Sequence, residues 1–335
     1  MSSNIAMKSS RRSFLAATGA LTLAAALPRP AMAADDYPNK PIRIIVGLAP
    51  GGMNDIVARI LSDRLGEKLG QSVIVENKVG AGGTLGAAYV AKAPADGYTI
   101  FLGAISNMAI AVAQFKSLPY DPVKDFAHIT QLAYSSNILV ASPSAAAYRT
   151  VADVIAAAKK EPGKILYATA GLGTSPHMAG ELFNLMAGSR LGNVPYKGDG
   201  PALVDVAGGQ VALAFPALPA AMTLIKANRL KPIAVTSRQR APLLPDVPTI
   251  AESGVPGYDM SPWVGLFAPA ATPKDIVARL NREMVAILRT PAVKEKFAEL
   301  ALVPVGDAPA EFATFHRFEV DKWSKVYKAA GLIAE

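Results

Sequence analysis

The feature that most constrains this chain is a unit occurring three times near its start: an apolar run, a turn, then a stretch with helical periodicity. Residues 42–48 form a β-branched run, followed by Pro50-Gly51-Gly52 and by Ile56, Val57, Ile60, Leu61, Leu65 and Leu69 on one helical face. Residues 72–76 lead into Gly80-Ala81-Gly82-Gly83 and a small-residue helix over 84–93, and residues 98–103 lead into a loop over 104–107. Strands that each feed a loop and then a helix predict a mostly parallel α/β sheet with all three loops at its carboxyl edge.

A second block repeats the logic. Residues 137–141 read as a strand broken by Pro143, and Thr150 with Asp153 three residues on reads as a capping box opening a helix over 151–160. A strand over 165–169 precedes A-G-L-G-T-S-P-H at 170–177, where Ser175 as N-cap and Pro176 as first helical residue predict a helix to residue 187. A helix over 201–207, a strand over 211–215, a helix over 220–227 and a strand over 233–236 complete this block.

Beyond Arg238 the pattern gives a strand near 264–268 and two long helices, over 273–288 and 310–329. On the last of these Phe312, Phe315, Trp323, Val326 and Tyr327 form a buried stripe. These late helices are expected to cover the open face of the first sheet, because a sheet of this type needs helices on both faces. The chain's 335 residues suit two domains. We expect one lobe from 34–139 and 238–335, a second from 140–237, and hinge strands near 137–142 and 233–237.

Composition excludes several functions. With no cysteine there are no thiolate nucleophiles, disulfides or thiolate metal sites, and the three histidines, His128, His177 and His316, have no metal-ligand spacing. Each is read as structural, and no cofactor is expected. The formal net charge is +8, of which four charges, Lys8, Arg11, Arg12 and Arg29, sit in an acid-free leader. The rest of the Lys and Arg are dispersed, so nucleic acid is not an expected partner.

The leader reads S-R-R-S-F-L at 10–15, a weakly apolar run over 16–27, then Ala31-Met32-Ala33. It resembles a twin-arginine export signal over residues 1–33, cleaved near Ala33. The apolar run is about a dozen residues where a spanning helix needs about 20. A periplasmic location is the expectation.

The succession Y-P-N-K-P-I-R-I-I-V, P-G-G-M-N-D-I-V-A-R, E-N-K-V-G-A-G-G-T-L-G, D-G-Y-T, L-P-Y-D, Y-A-T-A-G-L-G-T-S-P-H, V-P-Y-K-G-D-G-P-A-L, L-P-D-V-P-T and P-G-Y resembles the Bug family across nearly the whole chain after the leader. These are substrate-binding proteins of tripartite tricarboxylate transporters. The resemblance implies a two-lobed type II periplasmic binding-protein fold with hinge strands between the lobes. It also implies an organic-acid or acidic amino-acid ligand, and membrane transporter subunits as partners. One departure is Leu48-Ala49-Pro50, where many relatives have an aromatic residue or proline before P-G-G. A monomer is expected.

Glycine-rich turns that open helices offer backbone N–H groups and a positive dipole end to a carboxylate. Pro50, Gly51, Gly52, Met53 and Asn54 form one such turn; Ala81, Gly82 and Gly83 form another. Thr169, Gly173, Thr174, Ser175 and His177 surround a third on the second lobe. Ser106 and Asn107 supply hydroxyl and amide groups either to ligand or to turn capping. Asp55 reads as a helix-capping acid. Asp199 follows a loop that the family resemblance places in the cleft; it reads equally as a cleft acceptor for a ligand amino or hydroxyl group and as a turn residue. His177 either contacts ligand or satisfies local backbone. Arg59, midway along its helix, and Lys197 are not the preferred anion partners.

Two other functions compete. A ligand-loaded partner of a periplasmic sensor would have the same sequence features. An exported enzyme would need a nucleophile elbow or dinucleotide loop, and the chain has no G-x-S-x-G and no complete G-x-G-x-x-G after a strand.

Overall fold

The computed structural model describes residues 37–332 and Ala334, so the leader reading lies outside the described residues. Residues from Pro38 onward form one compact unit built on two sheets.

The first sheet holds β1 (Ile42–Val46), β2 (Val73–Asn77), β3 (Thr99–Ala104), β4 (Phe126–Tyr134), β10 (Trp263–Pro269) and β11 (Val303–Pro304), in the order β11-β4-β10-β3-β1-β2. β1 pairs in parallel with β2 and β3, as the repeated unit predicts. β10, however, inserts antiparallel between β3 and β4, and β11 adds an antiparallel edge, so the sheet is mixed and not mostly parallel. Its helices are α1 (Met53–Leu69), α2 (Thr84–Ala91), α3 (Ala111–Gln114), α8 (Lys274–Leu288), α9 (Pro291–Glu299) and α10 (Pro309–Ala329).

The second sheet holds β5 (Ile138–Ala141), β6 (Leu166–Thr169), β7 (Gly192–Pro195), β8 (Leu213–Ala214) and β9 (Lys231–Val235), in the order β7-β6-β8-β5-β9. With it go α4 (Val151–Lys160), α5 (Ser175–Ala187), α6 (Asp199–Ala207) and α7 (Leu218–Lys226). β6 runs parallel to β7 and β8, whereas β5 is antiparallel to both β8 and β9.

Local chemistry accounts for the element ends. Thr150 Oγ1 accepts from Asp153 N and Asp153 Oδ2 from Thr150 N, the reciprocal box read in the sequence. Gly70 and Gly188 close α1 and α5 in the left-handed conformation that lets each chain leave its helix. The start of α5 differs from expectation: its N-cap is Thr174, with Ser175 and Pro176 already inside the helix. Thr174 Oγ1 donates to Gly171 O at 2.6 Å, so it braces the turn instead of capping an N–H.

Of the stripe on α10, Phe312, Trp323, Val326 and Tyr327 are buried and Phe315 is partly so, with Phe312 packed against Trp263 and Phe267. Glu319 is buried within it. Its Oε2 accepts from the indole N–H of both Trp263 and Trp323 at 3.0 Å, and its Oε1 pairs with Lys322 Nζ. A carboxylate is tolerated in this interior because every charge on it is answered. Among the described residues no helix is long and apolar enough to cross a membrane.

Candidate functional site

Between β4 and β5 lie only residues 135–137, a span of at most about 14 Å. The link leaves β4 beside Ala104, at the carboxyl ends of β1–β3, and Asn137 then bridges to Ala217, just past the carboxyl end of β8. The return crossing starts where Val235 pairs with Ile138, and it re-enters the first sheet at Trp263 opposite Tyr134. Both crossings therefore join the carboxyl edge of one sheet to the carboxyl edge of the other. The crossings are laced together: Thr236 Oγ1 accepts from Asn137 N at 2.9 Å and donates to Met260 O at 2.7 Å, and Ser136 Oγ accepts from Thr236 N and Ser237 N at 3.2 Å each.

At the first edge, Pro50 and Gly51 lead to Gly52, the N-cap of α1, and no side chain caps that helix start. Gly51 takes φ +78°, and its N–H donates to Asp55 Oδ2 at 2.9 Å. Asp55 also accepts two bonds from Arg59, at 2.9 and 3.0 Å. Those bonds hold its carboxyl down at about 2, against the cost of burial. Arg59 thus reaches back to the turn, and its guanidinium also approaches Asn77 Oδ1 at 3.4 Å, while Asn77 Nδ2 donates to Leu48 O at 3.0 Å. Met53 and Asn54 form the first turn of α1, and the Asn54 amide Nδ2 is buried without a partner.

The second turn runs through Gly80, Ala81, Gly82 and Gly83 at φ +152°, +45°, +66° and +96°. Four successive positive-φ residues curl the backbone ahead of α2, with Gly83 as its N-cap. Gly47 and Gly83 touch backbone to backbone: a Cβ on Gly47 would lie 2.6 Å from Gly83 O. Ser106 and Asn107 open a π-helical turn after β3 (Ser106–Ile110). Asn107 is fully buried; Oδ1 accepts from Ala104 N at 2.9 Å, while Nδ2 has no partner and lies 2.4 Å from where a Cβ on Gly83 would sit. The same turn is anchored from behind by the Tyr120 hydroxyl on Asn107 O and by His316 Nε2 on Met108 O.

At the second edge, Thr169 Oγ1 donates to Asn193 Oδ1 at 2.9 Å, inside the sheet. The His177 ring is buried. Its Nδ1 accepts from Gly173 N at 3.1 Å and its Nε2 lies 3.7 Å from Glu181, which places it in the local backbone role. Burial pushes His177 down to about 4, so it is neutral. Ser175 Oγ and the Asn137 amide approach at 3.4 Å, and Asn137 Nδ2 also donates to Phe215 O. A Cβ on Gly173 would meet Gln114 Oε1 at 2.5 Å, so this turn sits against α3 of the first sheet.

Asp199 is the first residue of α6 and half-buried; burial raises its carboxyl to about 6, against a lowering effect of the Ala217 N–H. The chain before it is fixed by Tyr196 N donating to Thr169 O and Gly198 N to Ala170 O. Sequence reasoning missed Gly47 and Gln114. Gly47 lacked the flanking glycine that marks a turn, and Gln114 acts only through a contact to a glycine 59 positions away.

Two α/β lobes joined by paired crossings, with glycine-rich helix starts along both facing edges, define a two-lobed ligand-binding protein. A family model described as tripartite tricarboxylate transporter family receptor matches residues 57–332, and the chain belongs to this family. It is 36% identical over 318 residues to protein BugT of Bordetella pertussis, covering 95% of this chain and 97% of BugT. Among solved structures, R. palustris Rpa4515 with adipate is similar at TM-score 0.76 and 37% identity, covering 90% of this chain and 100% of that one. The periplasmic binding protein BugD is similar at TM-score 0.72 and 33% identity, covering 89% and 100%.

Proposed function

We propose that this chain captures a small carboxylate in the periplasm, between lobes spanning 34–139 with 238–335 and 140–237, and delivers it to the membrane subunits of a tripartite transporter. The observation that carries the reading is the Asn107 Nδ2 group, a buried donor with no partner beside the uncapped start of α2. A buried, unanswered N–H costs about 1–3 kcal/mol, and a ligand oxygen arriving there would recover it. Asn54 Nδ2 presents the same need at the start of α1. Donors at two helix starts suit an anion, and the adipate-bound relative is consistent with one.

Binding and release need no turnover chemistry. The protein acts as a monomer that opens and closes about its two crossings, after export and removal of residues 1–33. The ligand-binding test is a thermal-shift screen of organic and amino acids on the protein without its leader. A true ligand at 100 times its Kd adds about 2.7 kcal/mol of stability. Small-angle scattering should then show compaction with that ligand. A screen in which no carboxylate raises the melting temperature would overturn the reading.

A further inference from the structure

Resting on the reading of the Asn107 amide as a ligand donor, we infer that Tyr120 and His316 are positioning residues for binding. Their hydrogen bonds hold the Ser106–Ile110 turn in its π-helical form and so aim Asn107 Nδ2 at Gly83. A π-helical turn carries one residue more than an α-helical one and is rare. A rare backbone geometry persists where its surroundings over-determine it. Here the support comes from two distant places and falls on two successive carbonyls. The Tyr120 hydroxyl, in the loop before β4, donates to Asn107 O at 2.5 Å, and His316 Nε2, on α10, lies 2.7 Å from Met108 O.

Both donors are themselves fixed. Tyr120 belongs to the L-P-Y-D stretch, which the glycine-rich turns leave without a use. Asp121 Oδ1 accepts from Val123 N and Lys124 N at 2.9 and 3.0 Å, and Asp125 Oδ2 accepts from Asp121 N at 2.7 Å, so the chain directly after Tyr120 is wound into a tight loop. The Tyr120 ring is buried edge-on to Phe126, with centroids 6.0 Å apart. Since a carbonyl only accepts, His316 carries a proton on Nε2 and turns Nδ1 toward His128 Nε2 at 2.8 Å. His128 in turn sits edge-on to Phe267 and Phe312, which leaves the pair one orientation.

The turn in its π form is what orients the amide. Asn107 Oδ1 accepts from Ala104 N at 2.9 Å, a bond across the bend from β3 into the turn, and this leaves Nδ2 as the group facing Gly83. Ala104 is held in β3 and cannot follow if the turn rewinds to α-helical form. Rewinding would carry the Asn107 side chain away from Ala104 N and from Gly83 together. The two carbonyl bonds oppose that change at Asn107 itself and at the next residue. A polar histidine pair inside an aromatic core costs desolvation unless its N–H groups are answered. That the answer to His316 is a carbonyl of this turn gives the pair a use beyond packing.

The experiment is calorimetry on the leaderless protein with succinate, L-malate, adipate and L-glutamate, the tightest of which serves as probe. Tyr120→Phe removes only the hydroxyl. His316→Asn keeps an amide at the place of Nδ1, facing His128, and has no donor at the place of Nε2, whereas His316→Gln puts its amide nitrogen where Nε2 stood. Tyr120→Phe and His316→Asn should each raise the probe's Kd at least about fivefold, the worth of one hydrogen bond, and His316→Gln should bring it back to within about twofold of the parent. Phe297→Leu, a core change on α9, should lower the melting temperature and leave the Kd unchanged. In nitrogen-15 spectra the Asn107 side-chain amide, identified by its absence from Asn107→Asp, should shift in Tyr120→Phe and His316→Asn but not in Phe297→Leu. Cooperative melting of every variant guards against misfolding, and Tyr120→Phe carries the test if His316→Asn does not fold. Unchanged affinity in Tyr120→Phe, His316→Gln as weak as His316→Asn, or equal weakening by Phe297→Leu would overturn the inference and leave carboxylate capture standing. Failure of the wild-type protein to bind any of these acids, or any acid in the broader screen, would overturn both.

Discussion

His128 Nε2 and His316 Nδ1 lie 2.8 Å apart in the core of the first lobe, and His316 Nε2 sits 2.7 Å from Met108 O. A carbonyl can only accept, so His316 carries its proton on Nε2, leaving Nδ1 to accept from His128 Nε2–H. Two neutral rings thus form a relay that ends on the turn bearing Asn107.

Burial holds His128 at about 3 and His316 at about 4, against 6.5 when exposed, and His177 at about 4. Below pH 6.5 the unfolded chain binds protons that the folded chain refuses, so stability falls as pH drops from 6.5 toward 4. Asp199, Glu181 and Asp307 are shifted upward and act in the opposite sense, but only Asp199, at about 6, does so strongly. Urea unfolding should therefore give a free energy several kcal/mol lower at pH 5 than at pH 7, at about 1.4 kcal/mol for each pKa unit. The double variant His128→Leu/His316→Leu, less stable at pH 7, should lose less over the same interval. An unchanged slope in that variant would remove the pair as the cause.

Gly82 and Gly83 separate two effects within one turn. Both have positive φ, but a Cβ on Gly82 meets nothing within 4 Å, whereas one on Gly83 would meet Asn107 Nδ2 at 2.4 Å. Gly82→Ala should cost about 1 kcal/mol of stability through backbone strain and retain most binding. Gly83→Ala should displace the Asn107 amide and weaken carboxylate binding tenfold or more. Calorimetry showing the reverse order would argue against Asn107 as a ligand donor.

Asp55 and Arg59 clamp the first turn. Replacing Asp55 by Ala removes the acceptor for Gly51 N and for two Arg59 bonds, and should cost about 1–3 kcal/mol of stability. Arg59→Ala should cost less, since its guanidinium is half-exposed and water can replace it at Asp55. Thermal melts of the two single variants test that ranking.

Glu319 answers two buried indole N–H groups and Lys322. Glu319→Ala leaves both indole N–H groups without their acceptor and Lys322 with only the Asp259 carbonyl, and should destabilise by about 3–5 kcal/mol. Lys322→Met should also destabilise, by leaving the carboxylate less compensated. Denaturant titrations showing either variant as stable as the parent would contradict this account.

The elements legible in sequence were those fixed by local chemistry. β1 and β3 are apolar runs, α4 opens on a Thr150–Asp153 box, and the turns around Gly51, Gly82 and Gly173 need glycine at positive φ. β4 was not legible, because F-A-H-I-T-Q-L-A-Y places His128, Thr130 and Gln131 among buried positions. Their partners are His316 and Asp307, about 180 residues later. α9 is short and rich in Lys and Glu, with only Val293 and Phe297 buried, too few to set a period. At the site, the glycines announced themselves and Asn107 read as an amide for ligand or for turn capping, but that its Nδ2 is left vacant was not legible. Its availability depends on Gly83 lacking a side chain, a relation between two loops that no local pattern contains.

β10 comes from a part of the chain about 130 residues after β4, yet it lies between β3 and β4. During synthesis the first lobe therefore stands as two fragments with unsatisfied borders until the whole second lobe has emerged. A chain stopped short of Trp263 would expose the hydrogen-bonding rims of β3 and β4 and the faces of Phe101 and Phe126 that Phe267 and its neighbours cover. Such a fragment is built to associate with others of its kind, and the long separation between partners makes slow completion of this lobe intrinsic to the topology. The late strand is thus a quality gate: a complete molecule closes its own seam, and an incomplete one aggregates.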